Sequence, residues 1–219
     1  MGFIKDEDAK VIREELLRMK DPIKILFFTQ EFECMYCREA KELLTDFAGL
    51  SDKLTLEVYD FVKDKEVADK YGIDKIPAIV VLGPEDVDYG IRFFGIPSGY
   101  EFTTLLEAVV WASRKDSGLD PGSRTLLKEV DVPLHIMVFV TLTCPYCPQA
   151  AQLAYKAAIE KPNITASVIE ASEFPALAQK YAVFGVPKTV VSDVVEFVGA
   201  VGEDTFIHHL QEAAKKLKN

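Results

Sequence analysis

The sequence predicts an α/β fold in which one structural unit occurs twice in tandem. All four cysteines of the 219-residue chain lie in two Cys-x-x-Cys motifs, 34–37 and 144–147, whose first cysteines are 110 positions apart. In both motifs a proline follows 43 positions after the first cysteine, at Pro77 and at Pro187. Strand-like apolar runs and helical periodicities recur in the same order around both motifs. A duplicated unit accounts for all three observations.

The match between the two copies extends well beyond the cysteines. Residues 68–81 align with residues 178–191 at the same offset of 110. Near the end of each copy the offset falls to 104, where Gly95 aligns with Gly199. This change predicts a six-residue deletion in a turn of the second copy.

The first copy begins with a helix over 6–19, which has apolar residues at helical spacing and is stopped by Asp21-Pro22. The apolar run 23–28 predicts a buried strand, and a helix is expected to open at Cys34 and run to about Gly49. The remaining elements are a strand at 54–61, a short helix at 65–71, a hairpin of 79–82 and 91–94 with its turn opening at Gly83-Pro84, and a helix at 101–114.

The second copy repeats this order. Its predicted helices cover 121–130, 145–160, 173–181 and 204–217, and its predicted strands cover 134–141, 165–170, 188–192 and 194–199. The strongest cluster of helix and strand breakers, residues 116–122, divides the chain into predicted domains 1–117 and 118–219. Because this linker is short, we expect the two halves to pack together.

Composition and charge narrow the function classes. A hydrophobic fraction of 49% and a charged fraction of 27% are typical of a globular protein, and no apolar run reaches the ~18–20 residues of a membrane span. The net charge of −10 argues against nucleic acid and anionic membranes as partners. The acidic N-terminus lacks the layout of a signal peptide, so we expect a cytoplasmic protein. Scarce Asn and Gln favour a thermophilic source, in which intracellular disulfides are common.

A Cys-x-x-Cys motif between a strand and a helix is typical of redox-active dithiols. The unpaired N–H groups and the dipole at a helix N-terminus favour a thiolate, which is the form that attacks a disulfide. The two-residue spacer lets the second cysteine close a disulfide ring and release a mixed disulfide. We therefore predict Cys34 and Cys144 as nucleophiles, and Cys37 and Cys147 as resolving cysteines.

In these features the sequence resembles the thioredoxin superfamily, and Cys144-Pro-Tyr-Cys147 is similar to the active-site motif of glutaredoxins. Two joined copies that each keep a Cys-x-x-Cys resemble the glutaredoxin-like protein disulfide oxidoreductases of thermophiles. The resemblance implies two tandem thioredoxin-like domains, each a central mixed β-sheet flanked by helices. It also implies thiol–disulfide exchange on protein substrates without a metal or organic cofactor. The implied partners are a flavoprotein of the thioredoxin-reductase kind, peroxiredoxins and other disulfide proteins.

The same resemblance implies roles for the two proline segments. Pro77 and Pro187 are expected to be cis and to face the cysteines, and the backbones of Ile76 and Val186 are expected to bind an extended substrate. Thioredoxins have a buried Asp six residues before the first cysteine, where this chain has Phe28 and Val138.

The two sites are not expected to be equivalent. Glu31 and Glu33 precede Cys34, whereas the residues flanking Cys144 are neutral. Because nearby carboxylates disfavour a thiolate, we expect Cys144 to have the lower pKa and its pair to be the dominant site. Basic residues are absent beside Cys144, which argues against glutathione as a dedicated substrate.

The sequence leaves other interpretations open. Four cysteines could form a zinc or iron–sulfur site, although 106 residues separate Cys37 from Cys144 and zinc ribbons usually have ~15–20. The two prolines could be ordinary residues at strand entries. The chain could also be a dedicated electron relay from a flavoprotein to a peroxiredoxin, or a chaperone or binding module with one structural disulfide.

Overall fold

The computed structural model describes residues 3–218, which contain eight strands and eight α-helices. The strands are β1 (Ile23–Thr29), β2 (Leu54–Asp60), β3 (Ala78–Leu82), β4 (Asp88–Phe94), β5 (Leu134–Val140), β6 (Ile164–Glu170), β7 (Lys188–Val191) and β8 (Val195–Val198). The helices are α1 (Asp6–Leu16), α2 (Cys37–Ala48), α3 (Lys65–Lys70), α4 (Glu101–Arg114), α5 (Pro121–Leu127), α6 (Cys147–Glu160), α7 (Pro175–Lys180) and α8 (Glu203–Lys218). Every predicted element is present and in the predicted order.

The shift in repeat offset is explained by the two hairpins. The β3–β4 hairpin spans 78–94 and contains a short 3₁₀ turn at Pro84–Asp86. The equivalent β7–β8 hairpin spans only 188–198, which is six residues shorter. The deletion predicted from the offset is therefore confirmed.

All eight strands belong to one mixed sheet, in the order β2-β1-β3-β4-β6-β5-β7-β8. Each copy contributes four adjacent strands, and the copies are joined by a parallel pairing of β4 with β6, in which Ile91 lies beside Ala166 and Phe94 beside Ile169. The mixed sheet with flanking helices was predicted, but the joining of the two halves into one sheet was not. The predicted boundary at 117/118 falls in the connection between α4 and α5.

The core lies on both faces of this sheet, because successive strand residues point to opposite sides. Ile25 and Phe27 face the layer formed by α1, α2, α4, α5, α6 and α8. Leu26 and Phe28 face the other layer, where α3 and α7 pack. All four of these side chains are at most 1% exposed. Both helices that follow the Cys-x-x-Cys motifs, α2 and α6, therefore pack on the same face.

Further contacts connect the copies beside the shared sheet. The buried Tyr155 hydroxyl on α6 donates to the backbone carbonyl of Arg92 at 2.8 Å. The backbone N–H of Ile96 donates to a carboxylate oxygen of Glu173 at 2.7 Å. None of the helices within residues 3–218 is long and apolar enough to cross a membrane.

Candidate active site

Both Cys-x-x-Cys motifs lie at the same edge of the sheet. β1 and β5 run in the same direction, because β1 and β4 are related by two antiparallel pairings and β4, β6 and β5 pair in parallel. Each motif follows the carboxyl end of one of these strands, before α2 in the first copy and before α6 in the second. The shared edge therefore has two cysteine loops, separated by four strand-to-strand steps.

The helices start later than the sequence indicated. We predicted helix starts at Cys34 and at residue 145, but α2 begins at Cys37 and α6 at Cys147. A turn precedes each helix, and in the second copy the Cys147 N–H donates to the carbonyl of Cys144 at 3.4 Å. The prediction that the helix of the first copy starts at Cys34 was wrong: in both copies the second cysteine of the motif starts the helix, and the first cysteine precedes it.

Each motif is closed by its own disulfide, Cys34–Cys37 and Cys144–Cys147, with a Cα–Cα distance of 5.5 Å in both. Cys37 is 3% exposed and Cys147 is 0% exposed, whereas Cys144 is 9% exposed and Cys34 is half-buried. In each copy the first cysteine is therefore the more exposed of the two. Because four strand-to-strand steps of ~4.8 Å separate the two loops, the four cysteines do not assemble into one Cys₄ site.

The proline segments lie at the same sheet edge as these disulfides, on the strand next to the one that precedes each cysteine loop. Ala78 pairs with Phe28 across β1 and β3, and Lys188 pairs with Phe139 across β5 and β7, so the preceding prolines lie at the edge that holds the cysteine loops. The bonds before Pro77 and Pro187 are both cis, as the resemblance implied.

The backbone of the residue before each proline is available for pairing. The carbonyl of Pro77 accepts from Gly95 N–H at 2.9 Å, and that of Pro187 accepts from Gly199 N–H at 2.7 Å. No hydrogen bond within residues 3–218 involves the N–H or C=O of Ile76 or Val186, which are both half-buried. Free backbone groups next to a disulfide can add a substrate strand.

The first disulfide opens into a cleft of about 450 Å³ whose lining includes Cys34, Cys37, Arg38 and Lys41. The loop before the helix also presents apolar side chains to solvent: Phe32 is 78% exposed and Met35 is 82% exposed. Large exposed apolar groups of this kind mark surfaces that bind other proteins.

The exposed apolar side chains near the second disulfide differ from those near the first. Tyr146, inside the motif, is 69% exposed, and Phe184, three residues before Pro187, is 97% exposed. At the repeat offset of 110, the position equivalent to Phe184 in the first copy is the exposed Asp74. The two sites therefore differ in the proline loop as well as in the residues before the first cysteine.

The first copy also contributes to the surroundings of the second site. The backbone N–H of Tyr100 donates to the carbonyl of Leu142, two residues before Cys144, at 3.1 Å. The next residue, Glu101, begins α4 and is 0% exposed. Within the described residues neither carboxylate oxygen of Glu101 has a hydrogen-bond partner. Burial raises the pKa of Glu101 to about 7, because desolvation penalises the charged form and outweighs the lowering by the nearby Thr104 hydroxyl.

Glu101 was not predicted from the sequence as a residue of the site. An acidic residue in the first turn of a helix is common. Glu101 is unusual only because the packing of the second copy buries it. Phe28 and Val138, which occupy the place of the thioredoxin Asp, are both 0% exposed and apolar. The buried acid near the second site thus comes from the other copy.

Comparisons with known proteins match this architecture. A family model described as a thioredoxin domain matches residues 134–212. A protein disulfide oxidoreductase from Aeropyrum pernix superposes with a TM-score of 0.90 at 29% identity, covering 99% of this chain and 95% of that one. The chain is a tandem thioredoxin-fold protein. The predicted fold class and the resemblance drawn from the sequence are thereby confirmed.

A second group of relatives consists of alkyl hydroperoxide reductases of the AhpF type. The N-terminal domain of the Enterococcus faecalis protein superposes with a TM-score of 0.87 at 25% identity, covering 94% of this chain and 99% of that one. The Pseudomonas aeruginosa protein is 27% identical over 177 residues, which is 81% of this chain. The tandem thioredoxin-fold chain spans about a third of the length of such curated relatives, 32% in this case.

Proposed function

We propose that this tandem thioredoxin-fold protein is a protein disulfide oxidoreductase with two Cys-x-x-Cys active sites. One observation carries the proposal: in each copy, a disulfide whose first cysteine is the more exposed one lies at the same sheet edge as a cis-proline segment whose preceding residue has free backbone groups. The segment can hold an extended substrate in place while the first sulfur exchanges. This arrangement suits protein substrates because the contacts are made with backbone.

The proposed exchange uses the two cysteines of a site in turn. In the reduced site, the thiolate of Cys34 or Cys144 attacks a substrate disulfide, forms a mixed disulfide and expels the other substrate sulfur as a thiolate. Cys37 or Cys147 then loses its proton, attacks the mixed disulfide and expels the second substrate thiolate. The site is left oxidised by two electrons and the substrate reduced by two. Run in reverse, the same steps oxidise a substrate dithiol.

Glu101 is our candidate for exchanging the proton at the second site. Its carboxyl group is buried, it adjoins the backbone that binds Leu142, and its pKa of about 7 lets it gain or lose a proton near neutral pH. In this proposal Glu101 is a positioning and proton-exchanging residue of the Cys144 site. Its conservative variant Glu101→Gln should flatten the pH profile of turnover at the Cys144 site and leave that of the Cys34 site unchanged.

The proposed substrates are protein disulfides, and the proposed reductant is a flavoprotein of the thioredoxin-reductase kind. Exchange between cysteine pairs transfers the electrons that this reductant supplies, so the proposed steps use no metal or organic cofactor bound to the chain itself. A cytoplasmic location and a thermophilic source remain predictions from the sequence.

A second candidate function is a relay that passes electrons from a flavoprotein to a peroxiredoxin. The similarity to alkyl hydroperoxide reductases of the AhpF type, at 25% to 27% identity, favours this candidate. A dedicated relay needs one redox pair, whereas both pairs are intact here. Turnover with a peroxiredoxin but none with other protein disulfides would favour the relay.

Insulin reduction by the Cys34→Ser, Cys144→Ser and doubly substituted proteins tests the proposal. We expect the larger loss of turnover in Cys144→Ser, a smaller loss in Cys34→Ser and background activity in the double variant. A Leu17→Ser variant, altered at an exposed residue before β1 and so at the opposite edge of the sheet, is the control. Full turnover in the double variant would overturn the proposed function.

A further inference from the structure

The first copy reaches the second active site through the segment between β4 and α4. β4 is the strand of the first copy that pairs with the second, and its carboxyl end lies at the edge that holds both cysteine loops. The segment that leaves this edge is residues 95–100, which we call the bridging connection. It contacts the second copy at two places, one after β6 and one after β5.

The first contact is made at Gly95, which has a φ of 109°. A Cβ at this position would lie 2.6 Å from a carboxylate oxygen of Glu173 and 2.7 Å from the Cβ of Glu170. The next residue, Ile96, donates its backbone N–H to the same Glu173 carboxylate at 2.7 Å. The close approach therefore depends on the missing side chain of Gly95.

The equivalent glycine of the second copy, Gly199, makes no such contact. Its φ of 97° shows that the backbone conformation is kept. A Cβ there would come within 4 Å of none of the described residues beyond its chain neighbours. Gly199 follows β8, the outermost strand of the sheet, so no other copy lies beside it. The close approach is specific to the bridging connection.

The second contact joins Gly99 and Tyr100 to the turn that carries Cys144. Gly99 has a φ of 59°, and a Cβ on it would collide with the carbonyl oxygen of Leu142. The backbone N–H of Tyr100 donates to the same oxygen at 3.1 Å. The preceding carbonyl, that of Thr141, accepts from the Cys144 N–H at 3.1 Å. Two consecutive carbonyls of this turn are thus bonded, one within the turn and one by the first copy.

The equivalent turn of the first copy has only its own support. At the repeat offset of 110, Phe32 is equivalent to Leu142. Leu142 is half-buried and packs against the core, whereas Phe32 is 78% exposed. The Phe32 carbonyl accepts from the side-chain amide of Gln30, two residues earlier, at 2.5 Å. Within residues 3–218 no hydrogen bond joins this carbonyl to the second copy.

We propose that the bridging connection is a positioning element of the second active site. It holds the carbonyl of Leu142, and with it the turn that places Cys144 for thiol–disulfide exchange. This inference rests on the proposed function and deepens it: exchange at Cys144 depends on the first copy, whereas the Cys34 turn is held within its own copy. Gly99 and the N–H of Tyr100 are the groups that set the position of the turn.

The substitution Gly99→Ala tests this contact by displacing the turn. An alanine would push the Leu142 carbonyl by roughly 0.5 to 1 Å, and a misplacement of about 1 Å can lower a rate by up to ~10²-fold. Part of the displacement can be taken up by the connection itself, so we expect about a tenfold loss at Cys144. Gly118→Ala is the matched control, because Gly118 lies in the linker between α4 and α5, has a φ of 64° and leaves a Cβ 4.0 Å from its nearest neighbours. It introduces the same left-handed strain without a collision.

A second pair of variants removes the hydrogen bond without a collision. Tyr100 has a φ of −65°, which is the value that proline requires, and its N–H donates to Leu142. Tyr100→Pro therefore deletes this donor, and the preceding Gly99 has no Cβ to clash with the proline ring. Tyr100→Ala loses the same side chain but keeps the N–H, so the difference between the two variants measures the hydrogen bond.

The assay uses a parent protein without resolving cysteines, Cys37→Ser with Cys147→Ser, so that mixed disulfides persist. The thiolate of Cys34 or Cys144 attacks one sulfur of 5,5′-dithiobis(2-nitrobenzoate), forms a mixed disulfide and expels the other half as a coloured thiolate. Absorbance gives the rates, and mass spectrometry of quenched, digested samples assigns them to each cysteine. Measurement across pH separates the ionisation of each thiol from the reactivity of its thiolate.

We expect Gly99→Ala to slow Cys144 about tenfold, also at the high-pH plateau where the thiol is fully ionised, and to leave Cys34 unchanged. Tyr100→Pro should slow Cys144 several-fold relative to Tyr100→Ala, and this pair decides the question where Gly99→Ala does not fold. Unchanged Cys144 rates in both Gly99→Ala and Tyr100→Pro, or equal slowing of Cys34 and Cys144, would overturn the inference and leave the proposed function standing. No reaction at either cysteine of the parent protein would instead contradict the proposed function.

Discussion

The substitution Glu101→Gln should change how stability depends on pH. Glu101 is 0% exposed, and burial raises its pKa from an ordinary value of 4.5 to about 7. In the unfolded chain the carboxyl is ionised above pH 4.5, whereas in the folded protein it keeps its proton until pH rises through 7. Folding therefore takes up a proton between these values, and the stability of the wild-type protein falls as pH rises across this window.

The magnitude follows from the two pKa values. A shift from 4.5 to about 7 corresponds to about 3 kcal/mol of free energy, which is lost in full above pH 7. Between pH 5 and pH 8 the wild-type protein should lose roughly 2 to 3 kcal/mol through this group. Gln does not titrate, so the variant lacks this loss. Any packing or hydrogen-bonding cost of the amide is the same at both pH values and cancels in the comparison.

Urea unfolding of the oxidised protein at pH 5 and pH 8 measures the effect, because disulfide-bonded cysteines do not titrate. Relative to wild type, Glu101→Gln should be more stable at pH 8 than at pH 5 by roughly 2 to 3 kcal/mol. Glu66→Gln, at an exposed position of α3, is the matched control and should show no such difference. Equal effects of Glu101→Gln at the two pH values would refute the reasoning that burial raises the pKa of Glu101.

Three further predictions concern individual residues. The pKa of Cys144, measured from alkylation rates against pH, should lie below that of Cys34, by less than about one unit because the acids before Cys34 are exposed and screened; the reverse order would contradict this. Tyr155→Phe removes a buried 2.8 Å hydrogen bond between the copies and should lower the free energy of unfolding by about 1 kcal/mol in urea titrations. No change would mean that this bond does not hold the copies together. Phe184→Ser should slow exchange with unfolded protein substrates and leave exchange with a small aromatic disulfide unchanged, since its side chain is 97% exposed. Equal slowing of both, or slowing by the control Leu17→Ser, would count against a docking role.

Local patterns in the sequence were enough to place the elements. The strand predicted from the apolar run 23–28 and the helix predicted at 101–114 are correct to within a few residues, and the change of offset between the copies located the shortened hairpin. The cysteine and proline pairs lie together at one edge because strand order and register follow from the same repeated pattern.

What the sequence could not predict depends on contacts between the copies. The pairing of β4 with β6 joins strands that are about 75 positions apart. Neither strand has a local sequence signal that identifies the other as its partner. The burial of Glu101 depends on the same packing, so its local context indicated only an ordinary helix start. The helix at the first motif was placed three residues too early, because the turn through Glu33, with φ of 57°, has no strong local signal.

The reduction potential of each cysteine pair distinguishes a redox-active dithiol from a structural disulfide. Equilibration of the protein in buffers of defined thiol–disulfide ratio, followed by quenching and mass spectrometry, reports each pair separately. We expect both pairs to titrate as two-electron couples within the range of known thiol–disulfide oxidoreductases, roughly −120 to −270 mV. A pair that stays oxidised below about −300 mV would be a structural disulfide, and its copy would not be an active site.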